Sequence, residues 1–192
     1  MDLDPLDMAA HYRRAGAAAL SVLTEEDHFA GSLEDLRTVS AGCGLPVLRK
    51  DFIVDEYQVY ESRANGADSV LLIVRALGRA RLAALHALAL KIGLAPLVEV
   101  HDERELETAL SAGARIVGVN NRNLSTLETD LGVARRILPQ IPKTCVAVAE
   151  SGYCRVSELA GLAGLADAVL IGTAFLKHPE RIRKLMRGRA RL

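Results

Sequence analysis

The stretch Leu45-Pro46-Val47-Leu48-Arg49-Lys50-Asp51-Phe52 decides the fold. Gly44 and Pro46 end the helical pattern before it, and Val47 and Leu48 favour a strand. The result is a short apolar strand that ends on a lysine. Helical patterns flank it on both sides, and strands alternating with helices build a parallel α/β sheet. Folds of that class carry catalytic groups at the C-terminal ends of their strands, which is where Lys50 falls. A lone lysine there is also an ordinary solvated side chain, so the other strand ends have to decide.

Working outward, Asp4-Pro5 suits a helix N-cap followed by proline at the first helical position, and this helix runs to about Ala15. Ala18 to Thr24 reads as a strand and Glu34 to Ala41 as a helix, followed by the lysine strand. Asp55 to Ala64 is a helix closed by Asn65-Gly66. Ser69 to Val74 is aliphatic at five of its six positions, as expected of a strand buried on both faces. Arg79 to Ile92 is helical, with Leu82, Leu85, Ala89 and Ile92 on one face. Pro96 to Val100 is a strand, and Asp102 with Glu105 forms a capping box that opens a helix through Leu110. Ile116–Val119, Val146–Ala149 and Ala168–Ile171 read as strands. Leu131–Leu138, Val156–Leu162 and Pro179–Arg187 read as helices.

A repeat runs through this pattern. Ala15-Gly16-Ala17, Asn65-Gly66-Ala67, Ala112-Gly113-Ala114 and Ala163-Gly164 each close a helix just before a strand, roughly every 50 residues. The strands between them enter through Pro46, Pro96 and Pro142. Two alternating strand classes suit an eight-stranded barrel, where alternate strands fill alternate side-chain layers. The count gives seven strands and starts on a helix, and the 192 residues fall short of the ~250 typical of a full barrel. The expectation is therefore a single α/β domain over residues 1–192, a (β/α)8 TIM barrel that is incomplete. It should have about seven parallel strands and lack the first strand and any N-terminal extension.

Composition narrows the function. Half the residues are hydrophobic, a quarter are charged and the formal net charge is zero. This argues against a nucleic-acid partner and against a polybasic membrane surface. The basic run Arg181 to Arg191 reads as a solvated last helix with cations near its C-terminal end. No apolar run reaches the ~18 residues of a membrane span. Cys43, Cys145 and Cys154 are odd in number and form no C-x-x-C, which suits a reduced, cytoplasmic protein. The five histidines show no metal-ligand spacing, so no metal site and no cofactor are predicted.

Read in order, the strand ends carry Thr24, Lys50, Glu99 with His101, Asn120 with Arg122, Glu150-Ser151-Gly152, and Gly172-Thr173. One lysine and two carboxylates at strand ends suit general acid–base chemistry. Glu99 also reads as a structural carboxylate, because a charge inside an apolar strand needs a partner. Asn120 to Asn123 also reads as a turn. Ser151-Gly152 and Gly172-Thr173 follow the last two strands, where (β/α)8 barrels commonly bind phosphate. Neither loop is a P-loop or a G-x-G-x-x-G. The residues alone thus point to a barrel that binds a phosphorylated small molecule and moves protons.

At these motifs the chain resembles the indole-3-glycerol phosphate synthase family of tryptophan biosynthesis. The matching segments are Ser21-Val22-Leu23-Thr24, Phe29-x-Gly31-Ser32-Leu33, Leu48-Arg49-Lys50-Asp51-Phe52-Ile53, Val70-Leu71-Leu72-Ile73-Val74, Leu97-Val98-Glu99-Val100-His101, Asn120-Asn121-Arg122-Asn123-Leu124 and Glu150-Ser151-Gly152. The family closes a pyrrole ring on 1-(2-carboxyphenylamino)-1-deoxyribulose 5-phosphate with loss of carbon dioxide and water, a carboxy-lyase reaction. The resemblance implies that Lys50 is the general acid for the ribulose carbonyl and Glu99 an acid–base carboxylate. It implies substrate contacts at Asn120, Arg122 and Ser151, and a phosphate end at Gly152, Gly172 and Thr173. Phe52 and Leu72 would line the slot for the anthranilate ring.

The family's first strand and the loop after it carry further charged groups, and these have no counterpart here. That implies an impaired isolated chain, monomeric or weakly associated through open barrel edges. Two alternatives stand beside this reading. One is another phosphate-binding barrel enzyme, such as a phosphoribosylanthranilate isomerase-like protein. The other is a non-catalytic remnant, or a barrel completed by a partner.

Overall fold

A computed structural model describes residues 4–172. Thr173 and the helix expected over Pro179–Arg187 lie outside the described residues. The described residues form seven strands, β1 (Leu20–Leu23), β2 (Val47–Lys50), β3 (Ser69–Ile73), β4 (Ala95–Val100), β5 (Ile116–Asn120), β6 (Val146–Glu150) and β7 (Ala168–Leu170). Seven helices alternate with them: α1 (Pro5–Ala15), α2 (Leu33–Gly42), α3 (Glu56–Ala64), α4 (Val74–Lys91), α5 (Glu103–Ser111), α6 (Gly132–Ile137) and α7 (Val156–Ala160). Strand order follows chain order. This is the (β/α)8 TIM-barrel pattern short of one strand.

Residue chemistry sets these boundaries. The Asp4 side chain accepts from Leu6 and Asp7 N–H and starts α1 just before Pro5. Ser32 accepts from Asp35 N–H to start α2. The repeated glycines Gly16, Gly66, Gly113 and Gly164 adopt φ of 97°, 87°, 88° and 72°, the left-handed turn that reverses a helix into the next strand. Two aspartates complete the device. Asp68 Oδ2 accepts from Val47 N–H (2.9 Å) and Asp167 Oδ2 from Ala147 N–H (2.8 Å). Each ties the start of one strand to the start of its neighbour.

The chain forms two compact units, Met1–Leu97 and Val98–Leu192. In the first, β1, β2 and β3 pair in parallel, with Leu23 opposite Lys50 and Arg49 opposite Val70. Val47, Val70, Leu71 and Leu72 form its buried layer, closed by Leu36, Val59, Leu82 and Leu85 from the helices. Each such side chain contributes roughly 1.5–3 kcal/mol by leaving water. Strand β3 is buried from Val70 to Ile73, as its unbroken aliphatic run predicts. Val74, read as the end of that strand, instead opens α4. This helix begins five residues before Arg79 and breaks at Gly78 (φ 66°, ψ 168°). Its apolar periodicity becomes regular only after that glycine, which hid the first turn.

In the second unit β5, β6 and β7 pair in parallel, with Asn120 opposite Glu150 and Ala149 opposite Val169. Val117, Val119 and Ala149 are buried with Leu106 and Ile137. No helix among the described residues is long and apolar enough to cross a membrane.

Candidate active site

Strand alternation sends neighbouring side chains of β2 to opposite faces. Arg49 takes the helix-facing side and is 3% exposed. Its Nε donates to Thr24 Oγ1 (2.9 Å), Nη1 to Glu61 Oε2 (2.9 Å) and Gln58 O (3.1 Å), and Nη2 to Asp51 Oδ2 (2.9 Å). Thr24 Oγ1 donates in turn to Asp51 Oδ2 (2.6 Å). A buried guanidinium with its donors matched to two carboxylates is the arrangement that keeps such a charge tolerable inside a protein. It leaves the opposite face of the strand end to Lys50, whose side chain is half-buried.

The loop after Lys50 is pinned as well. Asp51 Oδ1 accepts from Phe52 N–H (2.7 Å). Gln58 of α3 donates to Phe52 O (3.0 Å) and accepts from Val54 N–H (2.8 Å) and Asp55 N–H (3.1 Å). Phe52 is 40% exposed and stands 6.5 Å, centroid to centroid, from Phe29, which is also exposed. Leu72 is fully buried in β3 and offers no surface to a ligand as it stands.

In the second unit Glu99 lies in β4 between the buried Val98 and Val100 and is itself 1% exposed. His101 Nε2 approaches Glu99 Oε1 at 3.4 Å, and His101 Nδ1 approaches Glu105 Oε2 at 3.1 Å. At the end of β5, Asn120 Oδ1 accepts from Arg122 N–H (2.9 Å), which turns the chain outward. The segment beyond returns as a short hairpin, with Arg122 bridging to Thr129. Arg122 is half-buried, and its Nε has no hydrogen-bond partner among the described residues.

Asn121 fixes the third strand end. Its side-chain amide donates to Glu150 O, Ser151 O and Tyr153 Oη, each at 3.0 Å, and its Oδ1 accepts from Ala134 N–H (2.9 Å). Burial pushes the Tyr153 phenol above its ordinary value of 10.0, partly offset by this bond from Asn121. The loop so held contains Ser151 (φ 62°) and Gly152 (φ 86°). Gly172 follows β7 and is exposed.

A family model described as indole-3-glycerol phosphate synthase matches residues 1–187. This chain belongs to the indole-3-glycerol phosphate synthase family. It is 55% identical over 174 residues to indole-3-glycerol phosphate synthase 1 of Streptomyces coelicolor, covering 90% of this chain and 65% of that protein. It is 50% identical over 192 residues to the indole-3-glycerol phosphate synthase of Dehalococcoides mccartyi, covering 96% of this chain and 74% of that protein. The chain thus spans about two thirds of the length of these curated relatives.

The sequence reading puts Lys50, Glu99, Asn120 and Ser151 at strand ends; in the structure Lys50 and Asn120 close β2 and β5, Glu99 is the last-but-one residue of β4, and Ser151 directly follows β6. Lys50 and Phe52 fall in the first unit, and Glu99, Asn120, Arg122, Ser151, Gly152 and Gly172 in the second. Asn120 and Glu150 face each other across paired strands. Sequence reasoning gives Asn121 no role of its own, names His101 only beside Glu99 at a strand end, and reads Glu105 only as part of a capping box. The capping-box spacing of Asp102 and Glu105 was the available signal for Glu105. Nothing in the run Asn120-Asn121-Arg122-Asn123 separates Asn121 from its neighbours, because side-chain amides suit turns wherever they stand.

Proposed function

We propose that this chain carries out indole-3-glycerol phosphate synthase chemistry. The reaction is ring closure of 1-(2-carboxyphenylamino)-1-deoxyribulose 5-phosphate with loss of carbon dioxide and water. The observation that carries this reading is Lys50, set at the end of β2 with the Arg49 network committed to the other face of the strand. Protonation of the ribulose carbonyl by an ammonium makes that carbon electrophilic, so that the anthranilate ring carbon can attack it. Loss of carbon dioxide and then of water restores aromaticity. Lys50 is the general acid. Glu99 is the carboxylate that exchanges protons during the later steps.

The remaining residues bind. Phe52, beside Phe29, offers an apolar face for the anthranilate ring; Leu72 would join it only after a shift that uncovers its side chain. Arg122 has an unused Nε–H for a substrate oxygen, and Asn120, two residues earlier, accepts from its backbone N–H in the turn. Ser151 and Gly152 occupy a tight positive-φ loop whose backbone N–H groups suit a phosphate; Gly172 and Thr173 are assigned to the same phosphate end by the family resemblance, Thr173 lying outside the described residues. No metal or cofactor is needed in this scheme. The family match favours it over the isomerase-like and non-catalytic alternatives.

The test is an assay of the purified chain with the ribulose phosphate substrate, read by formation of the indole product and by substrate binding. Turnover that Lys50→Ala removes supports the reading. A chain that does not turn over this substrate overturns it.

A further inference from the structure

We propose that His101, held by Glu105, is a positioning residue for Glu99. The inference rests on the role just given to Glu99 and names what fixes that carboxylate in place.

The argument begins at the N-terminus of α5. Asp102 caps the helix by accepting from Glu105 N–H (2.8 Å). A glutamate at this position ordinarily reaches back to the N–H of the capping residue. Here Glu105 Oε2 passes it and accepts from the N–H of His101 (2.7 Å), while also lying 3.1 Å from His101 Nδ1. One carboxylate oxygen therefore holds both the backbone and the ring of His101, which fixes the imidazole rotamer. It also places a hydrogen on Nδ1, because a carboxylate oxygen needs a donor there.

The other ring nitrogen is then committed. His101 Nε2 lies 3.4 Å from Glu99 Oε1, with both side chains at 8% exposure or less. The approach falls short of hydrogen-bond geometry and is an electrostatic contact at ion-pair range between the Glu99 carboxyl and a ring that a third group orients. A base oriented in this way is the general logic of activated catalytic groups. Displacement of such a group by about 1 Å costs on the order of 10²-fold in rate.

The test uses the full chain with carbon-13 at the glutamate carboxyls. Glu105→Gln keeps an acceptor for the His101 N–H and removes the charge. It should move the Glu99 carboxyl resonance, assigned by its loss in Glu99→Gln. In a His101→Leu background the same Glu105→Gln change should leave that resonance where it was. A shift of equal size in both backgrounds, or none in either, overturns the proposal. With the ribulose phosphate substrate, His101→Leu should lower kcat on the order of 10²-fold with KM little changed, and an unchanged kcat overturns the proposal equally. If the parent chain shows no turnover, the functional assignment fails, while the carboxyl resonances still decide whether Glu105 reaches Glu99 through His101.

Discussion

Arg49 Nη2 lies 2.9 Å from Asp51 Oδ2, and both side chains are at least nine-tenths buried. These two residues flank Lys50 in sequence, so the ion pair sets how the chain passes through the lysine. Glu61 of α3 takes the other arm of the guanidinium at 2.9 Å, and Thr24 takes its Nε. Removing Arg49 strands two carboxylates away from water, and removing one partner of a buried pair costs about 3–5 kcal/mol. Arg49→Met should therefore lose stability of that order in urea unfolding. Arg49→Lys should lose much of it too, since one ammonium cannot serve Thr24, Asp51 and Glu61 at once. Full stability in Arg49→Lys would show that charge alone suffices and that the fork geometry is incidental.

Lys50 itself should behave differently. It is half-buried on the other face of β2. Lys50→Met should lower kcat by about 10²–10⁴-fold, the usual worth of a positioned proton donor. Lys50→Arg tests the nature of the role, because a guanidinium keeps the charge but does not release its proton. Steady-state assays should find Lys50→Arg nearly as slow as Lys50→Met. A variant with most of its activity left would make Lys50 an electrostatic group and not an acid.

How far the sequence could be read follows from the same residues. Aliphatic runs such as Val70-Leu71-Leu72-Ile73 fix strands because both faces are buried. The helix-closing glycines mark turns because their φ values are costly for residues with a Cβ. Lys50, Glu99 and Asn120 stand out in the sequence because a polar residue at or next to the end of an apolar strand breaks a pattern. Arg49, Asn121 and His101 do not. Their importance lies in partners 9 to 32 residues away, or in which ring nitrogen faces which oxygen, and neither leaves a local mark. The first turn of α4 was missed because Gly78 interrupts its periodicity.

His86 gives a pH prediction. Its side chain is buried on α4, and burial holds its pKa below the ordinary histidine value of 6.5. Above that value the imidazole is neutral in both folded and unfolded chains. Below it the unfolded chain takes up a proton that the folded chain refuses, so stability is lost as pH falls through the folded-state value. His28, raised by its hydrogen bond to Glu25, titrates with the opposite sign, so the comparison must isolate His86. Denaturant unfolding between pH 7.5 and 5 should show a steeper loss in the parent than in His86→Leu. Parallel curves would mean that the folded chain protonates His86 as readily as the unfolded chain does.

Gly152 is the sharpest test of the phosphate end. Its φ of 86° places it in the left-handed region, which costs other residues roughly 1–2 kcal/mol. A Cβ built there also collides with Thr129 Cγ2 and comes within 3.0 Å of Leu131 Cδ2. The collision involves a side-chain methyl, so Thr129→Ser should relieve part of it, while the backbone strain stays. Gly152→Ala should therefore weaken substrate binding, seen as a raised KM, and Gly152→Ala with Thr129→Ser should recover some of that loss but not all. The amide of Asn121, which holds Glu150 O and Ser151 O, keeps the loop from swinging aside to admit the methyl. If Gly152→Ala raised KM for the ribulose phosphate no more than a distant surface substitution does, this loop would not be where the phosphate sits.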